Sequence, residues 1–162
     1  MRYIFARVLF AFIMVFSPLV HSDTHNYFQV VFDTTPSFES DFQLGFGYAV
    51  YVNYDGRKIL FDTGVDGDTL LNNLHQAQVS ISELDAAVIS HRHPDHIGGL
   101  PSVRHAYPQI KIYAPPDQAI GTGNIQRVTA HVQLSQNLFV IRTHTDIPTV
   151  GIGDELSLLI NT

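Results

Sequence analysis

Short apolar runs separated by turn-forming residues recur along the 162-residue chain, and their spacing predicts strands early and helices inserted between later strands. Phe28 to Phe32 (Phe-Gln-Val-Val-Phe) reads as a strand. Thr34 to Phe42, with Pro36, two serines and Asp41, reads as a loop. Tyr48 to Tyr54 and Lys58 to Phe61 flank Asp55-Gly56, a strong two-residue turn signal, so the pair is expected to form a hairpin. Leu70, Leu71, Leu74 and Ala77 recur at helical spacing, with Asp68 as the expected N-cap. Ala86 to Ile89 is a buried-strand candidate ending at Ser90-His91. Ile97 to Tyr107 reads as a short helix terminated by Pro108. Lys111 to Ala114, Leu138 to Arg142 and Leu156 to Ile160 complete the strands. The order predicts an α+β or layered α/β domain and excludes a helix bundle.

The first 22 residues depart from this pattern. Arg2 and Arg7 precede Val8 to Val20, an almost unbroken apolar run, and polar sequence resumes at Asp23. That is the layout of a secretory signal peptide, with Val20 and Ser22 three and one places before a cut after Ser22. The run is shorter than the ~20 residues a bilayer span needs. Residues 23–162 are therefore expected as a secreted or periplasmic domain with no stable membrane anchor. Removing residues 1–22 leaves seven Lys and Arg against 15 Asp and Glu, a net charge of about −8 with histidines neutral. Such a balance argues against nucleic acid, whose phosphates need compensating cations, and leaves a small molecule as the expected partner. With no cysteine, there is neither a disulfide framework nor a thiolate metal ligand.

Charge and composition say little more; the histidines do. The chain has nine, and four fall between His91 and His105. In Ser90-His91-Arg92-His93-Pro94-Asp95-His96-Ile97-Gly98-Gly99, His91 and His93 are two apart, so an extended backbone projects both imidazoles the same way, toward one metal. Asp95 and His96 follow where the chain turns into the next helix and can address a second position nearby. Three imidazoles and a carboxylate suit zinc, iron or manganese, while a calcium or magnesium cage would need more carboxylates. Gly98-Gly99 lets the backbone pack close beneath the site.

This segment resembles the His-x-His-x-Asp-His signature of the metallo-β-lactamase superfamily. Ile59-Leu60-Phe61-Asp62-Thr63-Gly64 resembles its first motif, a strand ending in aspartate and glycine. The stretch from Gly45-Phe46-Gly47, through Asn72-Asn73-Leu74, to Leu100 is similar to the subgroup that includes dihydropterin-type ribofuranosylaminobenzene phosphate synthases. The resemblance implies an αββα sandwich with the site at one edge of two sheets. It implies His91 and His93 on a first metal, and Asp95 and His96 on a second. Asp62 would support the histidine loop through hydrogen bonds, and Asp95 would also orient the attacking water. The reaction implied is hydrolysis of an ester, amide or phosphoester at a binuclear, most readily zinc, centre.

Beyond about residue 115 the resemblance thins. The family needs a third histidine, a bridging carboxylate and a last histidine. His131 and His144 lie in range, but neither has the small-residue turn expected around the third, and both read as loop or surface histidines. Asp146 and Asp154 are conceivable bridging carboxylates without a spacing argument, and His105 is expected in solvent. Leu156 to Ile160 looks like an interior strand, yet the sequence stops at Asn161-Thr162. The expectation is the N-terminal part of the domain, with incomplete metal positions, weak metal binding and little activity alone. A non-catalytic metal-binding fragment and a di-iron redox protein on the same ligands are the competing expectations.

Overall fold

A computed structural model of the protein describes residues 25–35, 41–144 and 153–162. The expected signal peptide, the middle of the Thr34–Phe42 loop and Asp146 lie outside the described residues. Six strands form one sheet in sequence order: β1 (Tyr27–Phe32), β2 (Ala49–Tyr54), β3 (Arg57–Phe61), β4 (Ala86–Val88), β5 (Lys111–Ala114) and β6 (Ile125–Arg127). The first three pair antiparallel and β3 to β6 pair parallel. Asp55 and Gly56 join β2 to β3 with φ of 51° and 71°, the two positive values that a tight hairpin turn requires. A second, antiparallel sheet contains β7 (Val132–Gln133), β8 (Leu138–His144) and β9 (Asp154–Ile160).

Parallel neighbours cannot be joined by a tight turn, so the chain crosses over through helices. α1 (Gly67–Gln76) links β3 to β4, and α2 (Pro94–Ile97) with α3 (Leu100–Ala106) links β4 to β5. The period-2 alternation of the strands then sorts two cores. Leu60, Ala87, Ile112 and Ala114 point to the helices and meet Leu70, Leu74, Leu100 and Val103. Ile59, Ala86, Val88 and Tyr113 point the other way and meet Leu138, Val140 and Leu156 of the second sheet. The middle strands are thus apolar on both faces, which is why β4 reads as a continuous run rather than an alternation. The result is helices on sheet on sheet, three layers of the αββα sandwich. Among the described residues no helix is long and apolar enough to cross a membrane.

Three local expectations change. The N-cap of α1 is Asp66, not Asp68: its extended backbone (φ −127°, ψ 120°) lets its side chain accept from the Thr69 N–H at 2.8 Å, while Asp68 sits one position inside the helix. The helix expected over Ile97–Tyr107 is two pieces, and the first begins earlier, at Pro94. The break falls where the Gly99 N–H turns to the Gly64 carbonyl at 3.1 Å and Pro101 has no N–H to offer. β6 and β7 were not expected, because two or three mixed residues carry no period and acquire strand geometry only through their partners β5 and β8.

Candidate metal centre

Loops leaving the carboxyl ends of β3 and β4 lie side by side, and the candidate site is built there. Asp62 follows β3 with φ of 58°, a left-handed conformation that aspartate tolerates better than most residues. It is 1% exposed. Its N–H donates to the Val88 carbonyl at 2.9 Å, anchoring it to the neighbouring strand. Oδ1 accepts the Ser90 N–H at 2.7 Å, and Oδ2 lies 2.6 Å from Ser90 Oγ and 2.8 Å from His96 Nδ1. Thr63 adds two further bonds, its N–H and its hydroxyl both donating to the His96 carbonyl at 2.8 Å.

The donor inventory fixes the tautomers. A carboxylate only accepts, so Ser90 spends its one hydroxyl proton on Asp62 and must accept from His91 Nδ1, 2.9 Å away. His91 therefore carries its proton on Nδ1. By the same reasoning His96 donates Nδ1–H to Asp62. Both rings direct Nε2 away from the support, the arrangement in which metal-binding histidines are held by second partners. His91 Nε2 meets His93 Nδ1 at 3.2 Å, and His96 Nε2 meets Asp95 Oδ2 at 3.4 Å. A tetrahedral ion bonded to nitrogen at 2.0–2.1 Å spaces its ligands about 3.3 Å apart. Each pair thus has the separation of two ligands on one ion. The two pairs are neighbours, with the His91 and His96 ring centroids 4.1 Å apart.

Electrostatics divide the imidazoles. Burial, and then the neighbouring His96 ring, hold His91 below the ordinary histidine pKa. The bond to Asp62 raises His96 above it. The helix that carries Asp95 and His96 is fixed from outside: the Tyr48 N–H donates to the Asp95 carbonyl at 3.2 Å. A Cβ on Gly47 would come within 2.2 Å of that same oxygen, so only glycine allows the approach.

The fold brings His91, His93, Asp95, His96 and Asp62 together. It does not bring in the downstream histidines or Asp154. His131 is exposed beside Phe139, Ile141 and Leu159 on the outer face of the second sheet. His144 Nδ1 is paired with Asp154 Oδ1 at 2.7 Å, and Asp154 also binds Arg142 at 2.6 Å, so that carboxylate is committed elsewhere. His105 is exposed on α3. Among the described residues no three His, Asp or Glu side chains converge on one metal position. Sequence reasoning missed Ser90 and Tyr48. Ser90 stands beside His91 in the chain, but its partner Asp62 is 28 positions away, and only folding shows that the hydroxyl orients an imidazole.

Residues 43–158 match the family model described as the metallo-beta-lactamase superfamily. The chain belongs to this superfamily. Among relatives in the superfamily, it is 33% identical over 66 residues to the hydroxyacylglutathione hydrolase of Xanthomonas euvesicatoria, covering 41% of this chain and 24% of that protein. It is 31% identical over 78 residues to the 7,8-dihydropterin-6-methyl-4-(beta-D-ribofuranosyl)-aminobenzene-5'-phosphate synthase of Methanocaldococcus jannaschii, covering 46% of this chain and 26% of that protein. The match thus spans about a quarter of the length of these relatives. A solved structure described as a metal-dependent hydrolase of the beta-lactamase superfamily superposes with a TM-score of 0.64 at 19% identity, over 85% of this chain and 62% of that one. The likeness shows the superfamily fold.

Proposed function

We propose that the chain is the metal-binding part of an exported metal-dependent hydrolase that cleaves an ester, amide or phosphoester bond of a small molecule. The observation that carries the reading is the pairing of atoms that can bind metal once deprotonated: His91 Nε2 with His93 Nδ1, and His96 Nε2 with Asp95 Oδ2, each at ligand-to-ligand separation. His91 and His93 would hold one ion, Asp95 and His96 another, with zinc the best match to three imidazoles and one carboxylate and iron or manganese also served. When bound, such ions acidify a coordinated water and polarise the oxygen of the scissile group. The chain's own residues do the rest. Ser90 and Asp62 hold the tautomers, Thr63 and Tyr48 fix the turn carrying Asp95, and the second Asp95 oxygen accepts a proton from the nucleophile and orients it. Export rests on the pattern of residues 1–22.

A second reading is a non-catalytic metal-binding segment. It is favoured by the count of ligands: each position finds two among the described residues, where a catalytic zinc has three protein ligands. One experiment separates the two. The full chain is titrated with zinc by calorimetry and the loaded protein is assayed on p-nitrophenyl esters, phosphodiesters and lactones. The hydrolase reading predicts binding of two ions and turnover that His91→Ala and His93→Ala each abolish. Binding without turnover on any substrate leaves the second reading, and no binding at all sinks both.

A further inference from the structure

Large apolar side chains stand in water along the rim of the candidate metal centre. Leu44, Phe46 and Tyr48 lie on the segment entering β2, and Val65 lies on the loop leaving β3; Tyr48 is 38% exposed and Phe46 67%. β2 and β3 are antiparallel neighbours, and β3 and β4 are parallel ones. The start of β2 and the end of β3 therefore share the sheet edge from which the histidine loop leaves β4. Backbone contacts bring them close. The Tyr48 N–H donates to the Asp95 carbonyl at 3.2 Å, and the Tyr48 carbonyl accepts the Gly64 N–H at 3.1 Å. The Val65 carbonyl lies against Gly98, where a Cβ would come within 2.2 Å of it. The four side chains thus flank the turn that carries Asp95 and His96.

This segment is held so that it cannot fold away and bury them. Asn73 grips Gln43 twice, accepting its N–H at 2.8 Å and donating to its carbonyl at 2.9 Å. The Gly45 N–H donates to the Asp33 carbonyl at 3.1 Å. Gly45 and Gly64 both sit on the buried ring of Phe32, where a Cβ on either would come within 2.6 Å. Apolar surface fixed in water beside a polar centre marks a place that a ligand covers. Residues 43–48 and 63–65 also contain no Lys or Arg, the side chains that recognise a phosphate. We infer that Leu44, Phe46, Tyr48 and Val65 hold an apolar acyl or aryl group of the substrate, so that the bond cleaved is the ester or amide of an apolar carboxylic acid rather than a phosphoester. Water adds across that acyl bond, releasing the free acid and an alcohol or amine. The inference rests on the hydrolase reading above and narrows its substrate class.

The test uses the zinc-loaded full chain with p-nitrophenyl acetate, butyrate, hexanoate and octanoate, and bis(p-nitrophenyl) phosphate alongside. Wild type is compared with Leu44→Ser, Phe46→Ser and the control Leu159→Ser, whose exposed side chain lies on the second sheet. In wild type kcat/KM should rise by roughly two- to fourfold for each methylene buried, chiefly through KM, and the phosphodiester should be the poorest substrate. Leu44→Ser and Phe46→Ser should each flatten that rise, by about tenfold at octanoate, without moving the melting temperature of the metal-free protein. Leu159→Ser should keep the rise. Binding is read separately on the metal-free chain with the uncharged fluorophore N-phenyl-1-naphthylamine, which wild type should hold about tenfold tighter than Phe46→Ser does. A wild-type profile flat across acyl lengths, or a preference for the phosphodiester, overturns the inference and leaves the hydrolase reading standing. Loss of probe binding and of length dependence in Leu159→Ser instead of Phe46→Ser overturns it too. A lowered metal-free melt of Phe46→Ser would assign that ring to packing and again overturn it. Absence of turnover by wild type on every substrate overturns both readings.

Discussion

Asp62 shows how one side chain can decide the chemistry of two others. An amide in its place would offer one acceptor and one donor where the carboxylate offers only acceptors. In Asp62→Asn the amide N–H would point at Ser90 Oγ and His96 Nδ1, forcing the hydroxyl to donate to His91 instead. Both imidazoles would then carry their protons on Nε2, where the metal should bind. The expected result is a ten- to hundredfold loss of zinc affinity, about the range for such supporting partners, read by calorimetry. The tautomer switch would appear in the histidine ¹⁵N shifts of the metal-free protein. No change in those shifts would refute the assignment. His96 also sets a pH dependence. Its pKa is raised by Asp62, so the stabilising pair is complete below the unfolded value of about 6.5 and fades as pH rises through the folded one. Metal binding runs the other way, because a proton on Nε2 competes with the ion. Zinc affinity should therefore begin to fall above pH ~6.5 on acidification, earlier than an unperturbed imidazole would allow, in a calorimetric series across that range.

At the scale of elements, the strands and helices that bury a face were legible, since a face needs a period and the period is written in the chain. The hairpin β2–β3 and helix α1 follow from alternation, from Asp55-Gly56 and from the Leu70–Leu74 spacing. Element ends were less legible. Asp66 and Asp68 are both plausible caps in sequence, and the choice depends on where the chain leaves β3. Asp66→Ala should cost about 1 kcal/mol in urea denaturation, and Asp68→Ala much less. The stretch Gly45-Phe46-Gly47 read only as a strand entry. Folding makes Gly47 a contact to the helix that carries Asp95 and His96, with φ of 122° and no space for a Cβ beside Asp95. Gly47→Ala should lower stability by about 1–3 kcal/mol and weaken the second metal position with it. A variant that keeps both properties would show that the loop can shift freely.

For the molecule as a whole, the two sheets are tied at one edge through Asp154 and Leu156, and that tie responds to pH. Arg142 and then His144 hold the Asp154 carboxyl below the usual range. A depressed carboxylate contributes stability above its unfolded pKa of about 3.9, and the contribution is lost as pH falls through the folded value. Asp154→Asn should cost about 1–3 kcal/mol at neutral pH and show a shallower decline in acid than wild type, measured by urea melts from neutral pH down to about pH 3. What the sequence determined by itself was the family signature, the layered class and the local grouping of His91, His93, Asp95 and His96, because these residues are close in the chain. The tertiary structure decided the rest. Which nitrogen each histidine presents depends on Asp62, 28 residues before Ser90. The second sheet meets the histidine loop through a backbone bond from Leu156, 66 residues after Ser90. Such contacts leave no period or motif in a chain, since they are made by residues whose separation in sequence has no bearing on their distance in space.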